Sequence, residues 1–236
     1  AEDSGLIVPI GGMVIDQVCA LVAGPNDPGG TISLNVSAVE LSHGGWPDRF
    51  RAAVVAHGID PRRLVIEVTE TAVLSLLPAT RDELARMTAF GVGLHVDDFG
   101  TGFSSISHLR DLPVTGLKLD QTFTAGLTLV DNQISQLSQG LVGLAQGLGL
   151  STVAEGVETL EQAQVLAAQG WQMGQGWLFG KAAPLAALRA ATAPSLPAGP
   201  TSAQALWYAY LTPRPPATPW TDHDEEGPLP AQSGGG

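Results

Sequence analysis

The sequence predicts an α/β protein built on a parallel sheet, open or closed into a barrel. Three observations predict it. Short β-like runs alternate with helical patterns along most of the chain. The runs carry one apolar and one polar face. The polar residues gather near the C-terminal ends of successive runs. Strand–helix–strand–helix order gives parallel strands because each helix returns the chain to the same edge. The C-terminal ends are where such barrels keep their chemistry.

Strand runs read at "TISLNVS" from Thr31, "RLVIEVTE" from Arg63, "GVGLHVDD" from Gly91, "VTGLKLD" from Val114 and "LSTVAEG" from Leu150, with a weaker one around Trp171 to Trp177. Strand residues alternate faces. The first run sets Ile32, Leu34 and Val36 against Asn35; the second sets Leu64, Ile66 and Val68 against Glu67. In the third, Val92, Leu94 and Val96 oppose His95 and Asp97, and in the fourth Leu117 and Leu119 oppose Lys118 and Asp120. The fifth breaks the rule, because Val153 shares a side with Glu155. Between the strands, "ATRDELARMTAF" places Leu84 and Met87 on one side with Gly91 as a stop, and "ETLEQAQVLAAQG" ends at Gly170. Asn132 to Ala154 carries no charge but holds four glutamines and an asparagine. Ile134, Leu137, Leu141, Leu144 and Leu148 recur there with helical period, which predicts an amphipathic helix running into a strand and not a membrane span.

At 236 residues with 44% hydrophobic content the chain can bury a sizeable core. A net charge of −12 argues against an electrostatic grip on a nucleic-acid polymer or an anionic membrane. It leaves room for a phosphate ligand if metal ions bridge the two. The single cysteine, Cys19, rules out an intrachain disulfide and fits a reducing, cytoplasmic compartment; it reads as a core residue and not a nucleophile. From about Ala191 the text becomes proline-rich, aperiodic and finally acidic, which predicts a folded unit over residues 1–190 and a mostly disordered tail over 191–236. "ALWYAYL", Ala205 to Leu211, is the tail's one apolar island.

The inward set is Asn35, Glu67, Asp97, Asp98, Lys118, Asp120 and Glu155. Hard oxygen donors with one amide suit Mg²⁺ or Mn²⁺, and no cysteine or histidine pair supports zinc. The adjacent carboxylates of "LHVDDFGTGFSS" repel each other, so the pair is either solvated in an ordinary Asx-type turn or holds cations. Two ions there would suit a phosphoryl displacement. Taken alone, Glu67 and Lys118 read as an internal ion pair, and His95 as a hydrogen-bonded filler of the barrel. "DFG" at Asp98 to Gly100 lacks the other elements of a protein kinase, and "GLGLST" near Gly147 lacks the third glycine of a dinucleotide fingerprint.

In this order the segments resemble the EAL family of cyclic di-GMP phosphodiesterases. The likeness runs from "AEDSGLIVPIG" through "SLNVSA", "IEVTET", "DDFGTGFSS", "LKLD" and "VAEGVET" to "GQGWLFGKAAP". The resemblance implies a (β/α)₈ TIM-like barrel of EAL type and hydrolysis of cyclic di-GMP to the linear dinucleotide with two Mg²⁺ or Mn²⁺ ions. It implies metal ligation by Asn35, Glu67, Asp97, Asp98 and Glu155, with Asp97 bridging. Lys118 would position the hydrolytic water, with Asp120 supporting it. Glu70 and Glu158 would brace the Asp98–Ser105 loop, and Gln175 would sit near substrate together with Asp98. It also leaves a homodimer and upstream sensor or cyclase domains open.

The family's Glu-Ala-Leu strand, with a metal-ligand Glu and a nearby Arg, would precede Ala1. The expectation is therefore a barrel incomplete at its N-terminus. Its alternatives are a catalytically silent cyclic di-GMP receptor or an inactive fragment.

Overall fold

A computed structural model of the chain describes residues 1–100, 109, 112–127 and 133–183. The expected tail over 191–236 and the loop stretch 101–105 lie outside these residues.

The chain opens with helix α1 (Ile7–Ala23), followed by β1 (Ile32–Asn35), α2 (Ala38–Ser42) and α3 (Trp46–Ala56). Then come β2 (Leu64–Thr69), α4 (Glu70–Ser75), α5 (Pro78–Ala89) and β3 (Gly93–Phe99). The second half runs β4 (Gly116–Leu119), α6 (Gln121–Ala125), α7 (Gln133–Gly147), β5 (Ser151–Ala154), α8 (Leu160–Gln169) and β6 (Met173–Gly174). Among the described residues the six strands form one parallel sheet in sequential order, β1 to β6. All six expected strands are present, within a few residues of their expected limits.

Face parity holds. Leu34, Val36, Leu64, Ile66, Val68, Val92, Leu94, Val96, Leu117 and Leu119 all join the core between sheet and helices, with Phe50, Leu84 and Leu166 from the helix side. Val65 and Val153 are just as buried but lie outside that core. Val153 faces inward, beside Lys118 in register. The one apparent breach of alternation is therefore an apolar filler of the interior.

The interior is tight at the level of His95. Its Nε2 lies 3.2 Å from Ser151 Oγ, and Gly116 separates their strands. A Cβ on Gly116 would fall 2.4 Å from both His95 Nε2 and Ser151 Oγ. Gly116→Ala should therefore destabilise the domain by about 1–3 kcal/mol through overpacking, read as a lower urea midpoint at unchanged slope; an unchanged midpoint would show that His95 swings away freely.

Helix α7 forms as expected and packs Ile134 and Leu141 against the core, but its most deeply buried positions lie on a neighbouring stripe. Leu137 is 56% exposed and Leu148 is also exposed, while Ser138, Val142 and Ala145 are buried. The helix packs on β4, β5 and α8, and close approach favours small residues at the seam. Ser138 gains partners there: its hydroxyl donates to Gln169 Oε1 at 2.7 Å and accepts from Trp171 Nε1 at 3.0 Å. Cys19 is fully buried on α1, and burial, with Asp16 adding to it, pushes its thiol up, away from the reactive thiolate.

Candidate functional site

Several strands turn into helices through a polar cap, which fixes the side chains at their C-terminal ends. After β1, Ser37 and Glu40 make a reciprocal capping box on α2. After β2, Thr69 caps α4 and puts Glu70 in its first turn. After β4, Asp120 caps α6 by accepting from the Thr122 amide at 2.9 Å. After β5, Thr159 and Gln162 form a second capping box on α8. Such caps satisfy helix amides that would otherwise be unpaired.

Lys118 stands at the centre. Its ammonium donates to Glu155 Oε1 at 2.6 Å and Glu67 Oε2 at 2.7 Å, and lies 3.0 Å from Asp97 Oδ1. Three strands, and the residue that directly follows β5, thus send one charge each to a single point. Burial alone would push Lys118 down, but its hydrogen bonds to Glu155 and Glu67 outweigh that and hold the ammonium well above its ordinary value. Burial pushes Glu155 up, and Lys118 opposes this. His95 sits beneath, pushed down by burial, with Nδ1 lacking a hydrogen-bond partner among the described residues.

Asp98, the last but one residue of β3, has a φ of +54°, an uncommon conformation for a non-glycine residue, where the pairing with β4 shifts register. Its amide donates to Asp97 Oδ1 at 3.0 Å. Burial raises its carboxyl, followed by the charges of Asp97 and Asp120. The turn is pinned from the neighbouring strand end, where buried Glu70 accepts from the Gly100 amide at 2.9 Å. Asp97, Asp98 and Glu155 each offer an oxygen within 4.8 Å of the others. Three such donors, all hard oxygens, fit Mg²⁺ or Mn²⁺.

A cavity of about 290 Å³ opens beside this cluster, lined by Glu67, His95, Lys118, Gln175 and Lys181 among others. Gln175 lies at its margin with its side chain exposed and its amide bonded to Ala154 O at 2.8 Å. Of the remaining expected site residues, Asn35 pairs with Glu67 in register but is exposed on the outer strand. Glu158 is exposed on the loop after Glu155, its amide donating to Gln162 Oε1 at 2.8 Å. Sequence reasoning offered the Glu67–Lys118 ion pair, which is present, but missed that Asp97 and Glu155 join it to make the pairing threefold, and missed the place of Lys181 at the cavity. The inward parity of Glu67, Asp97 and Lys118 could have signalled the first.

A family model described as EAL domain matches residues 1–182. The chain belongs to the EAL domain family. It is 38% identical over 196 residues to the bifunctional diguanylate cyclase/cyclic di-GMP phosphodiesterase MucR of Pseudomonas aeruginosa, covering 82% of this chain and 28% of that protein. The solved MucR phosphodiesterase in complex with c-di-GMP superposes with a TM-score of 0.70 at 38% identity, covering 77% of this chain and 80% of that one. The manganese/cy-diGMP complex of Klebsiella pneumoniae BlrP1 gives a TM-score of 0.63 at 30% identity, covering 70% of this chain and 42% of that one. This EAL domain spans about a quarter of the length of the curated relatives it matches. Among the described residues no helix is long and apolar enough to cross a membrane.

Proposed function

We propose that this EAL domain hydrolyses cyclic di-GMP to the linear dinucleotide pGpG, in a cytoplasmic signalling protein, using Mg²⁺ or Mn²⁺. The observation that carries the reading is the convergence of Asp97, Asp98 and Glu155 beside a buried, fully ion-paired lysine at the strand ends. The solved relatives with c-di-GMP complexes support the substrate, and the manganese complex of BlrP1 supports the metal.

In the reaction water adds to one phosphorus, the bond from phosphorus to a ribose O3′ breaks, and the proton lost by the water ends on that oxygen. Asp97, Asp98 and Glu155, with Glu67 and Asn35, would hold the ions. When bound, the ions supply electrostatic stabilisation to the attacking and leaving oxygens. Lys118, fixed by its carboxylates, orients the attacking water. Glu70 holds the backbone at Gly100, and so the unusual conformation of Asp98. Asp120 keeps the start of α6 in place next to Asp98, and Glu158 extends the same support from the loop after Glu155. Gln175 contacts substrate from the cavity margin.

Chromatography after incubation with cyclic di-GMP and Mn²⁺ tests this. Linear dinucleotide should appear and should vanish with a chelator. Binding without product would make the domain a receptor, and neither binding nor product would overturn the reading.

A further inference from the structure

The turn after β6 carries an aromatic residue that the cluster of carboxylates does not use. Trp177 is 63% exposed, although its neighbours Leu178 and Phe179 pack against the core. The turn is held firmly. Val157 N donates to Gln175 O at 3.0 Å, Leu178 N to Val157 O at 2.9 Å, and Phe179 N to Gly176 O at 3.1 Å. A Cβ on Gly176 would lie 2.3 Å from backbone atoms of Val157, so only glycine permits this approach to the loop after Glu155. The ring is therefore displayed on a rigid support tied to the same loop that carries a candidate metal ligand.

Lys181 stands over one face of the ring, its ammonium 4.7 Å from the centroid, and lines the cavity with Glu67 and Lys118. The two lysines differ. Lys118 is neutralised by carboxylates, whereas Lys181 has no ion pair among the described residues. A displayed indole beside an uncompensated cation that itself lines the cavity is the chemistry that receives a base and its phosphate together. Stacking on aromatic rings and an adjacent positive charge are how proteins hold unpaired nucleotides.

We propose that Trp177 stacks a purine base of the substrate on the ring face opposite Lys181, and that Lys181 draws the adjoining phosphate. The inference rests on the cyclic di-GMP reading above. It adds a positioning pair outside the carboxylate cluster.

The test compares native chain, Trp177→Ala, Trp177→Phe and Lys181→Gln with cyclic di-GMP and Mn²⁺. Trp177→Ala should raise KM roughly 5- to 150-fold with kcat changed little, and Trp177→Phe should recover most of the loss. GMP should inhibit the native chain far better than ribose 5-phosphate, and Trp177→Ala should erase that preference. Lys181→Gln should raise KM and flatten its dependence on salt. Matching thermal midpoints confirm that the variants fold. If the native chain works but Trp177→Ala keeps its KM within about twofold, the stacking inference alone falls. If the native chain neither binds nor cleaves cyclic di-GMP, the functional reading falls and takes this inference with it.

Discussion

Asp97→Ala is expected to abolish cyclic di-GMP hydrolysis while the domain stays folded. Its carboxylate touches Lys118 at 3.0 Å and accepts the Asp98 amide, and it stands with Asp98 and Glu155 in the candidate metal cluster. Losing even an outlying partner of a metal ligand typically costs about 10- to 100-fold. Removing a ligand itself should exceed that, driving turnover below detection. The fold should survive because Lys118 keeps Glu67 and Glu155, and Val96 and Phe99 continue to anchor β3 in the core. Circular dichroism and product chromatography on the same sample check both halves. Turnover near the native rate would sink the metal assignment.

Lys118→Met should act in the opposite sense, on stability first. The substitution keeps the volume but leaves Glu67, Asp97 and Glu155 facing one another without their shared cation. Breaking a buried ion pair from one side costs about 3–5 kcal/mol because the remaining charge is stranded. In chelator the thermal midpoint should drop steeply. Mn²⁺ should restore more of it than it adds to the native protein, since ligand that binds the folded state stabilises it. Activity should not return, because under the proposed mechanism Lys118 is the residue that would position the water. An unchanged midpoint in chelator would mean that the three carboxylates take up protons or move apart at little cost.

What the sequence disclosed and what it hid divide along physical lines. Strand parity is dictated by backbone geometry, so Glu67, Asp97 and Lys118 could be placed on one side of a sheet before any coordinates, and they meet there. Helix faces are less strict. On α7 two stripes overlap: Ile134 and Leu141 pack against the core, but Ser138, Val142 and Ala145 are buried more deeply because close packing on the sheet rewards small residues. Contacts between distant turns come within reach only through the resemblance: it implies that Glu70 braces the Asp98–Ser105 loop, but the residues of "IEVTET" alone do not show the Gly100 amide, 30 residues away, as the contact. Nor does the text reveal that Asp98 takes a left-handed conformation or that Asn35 lies exposed on the outer strand. The motif order located the residues, but not how much each supports its neighbours.

The two faces of each strand also bear on how such a domain drifts over generations. Residues that fill the core and residues that meet at the cavity belong to separate sets on the same strands. Mutation can therefore erase the chemistry at Asp97 without disturbing the packing that natural selection must preserve. Lys118 is the exception, because it answers to both demands. A lineage that abandons catalysis can lose Asp97 or Asp98 at little penalty, yet it must retain the lysine for as long as its carboxylates remain. Silent descendants of this domain should therefore carry the mark of that asymmetry, with acids lost first and the cation last.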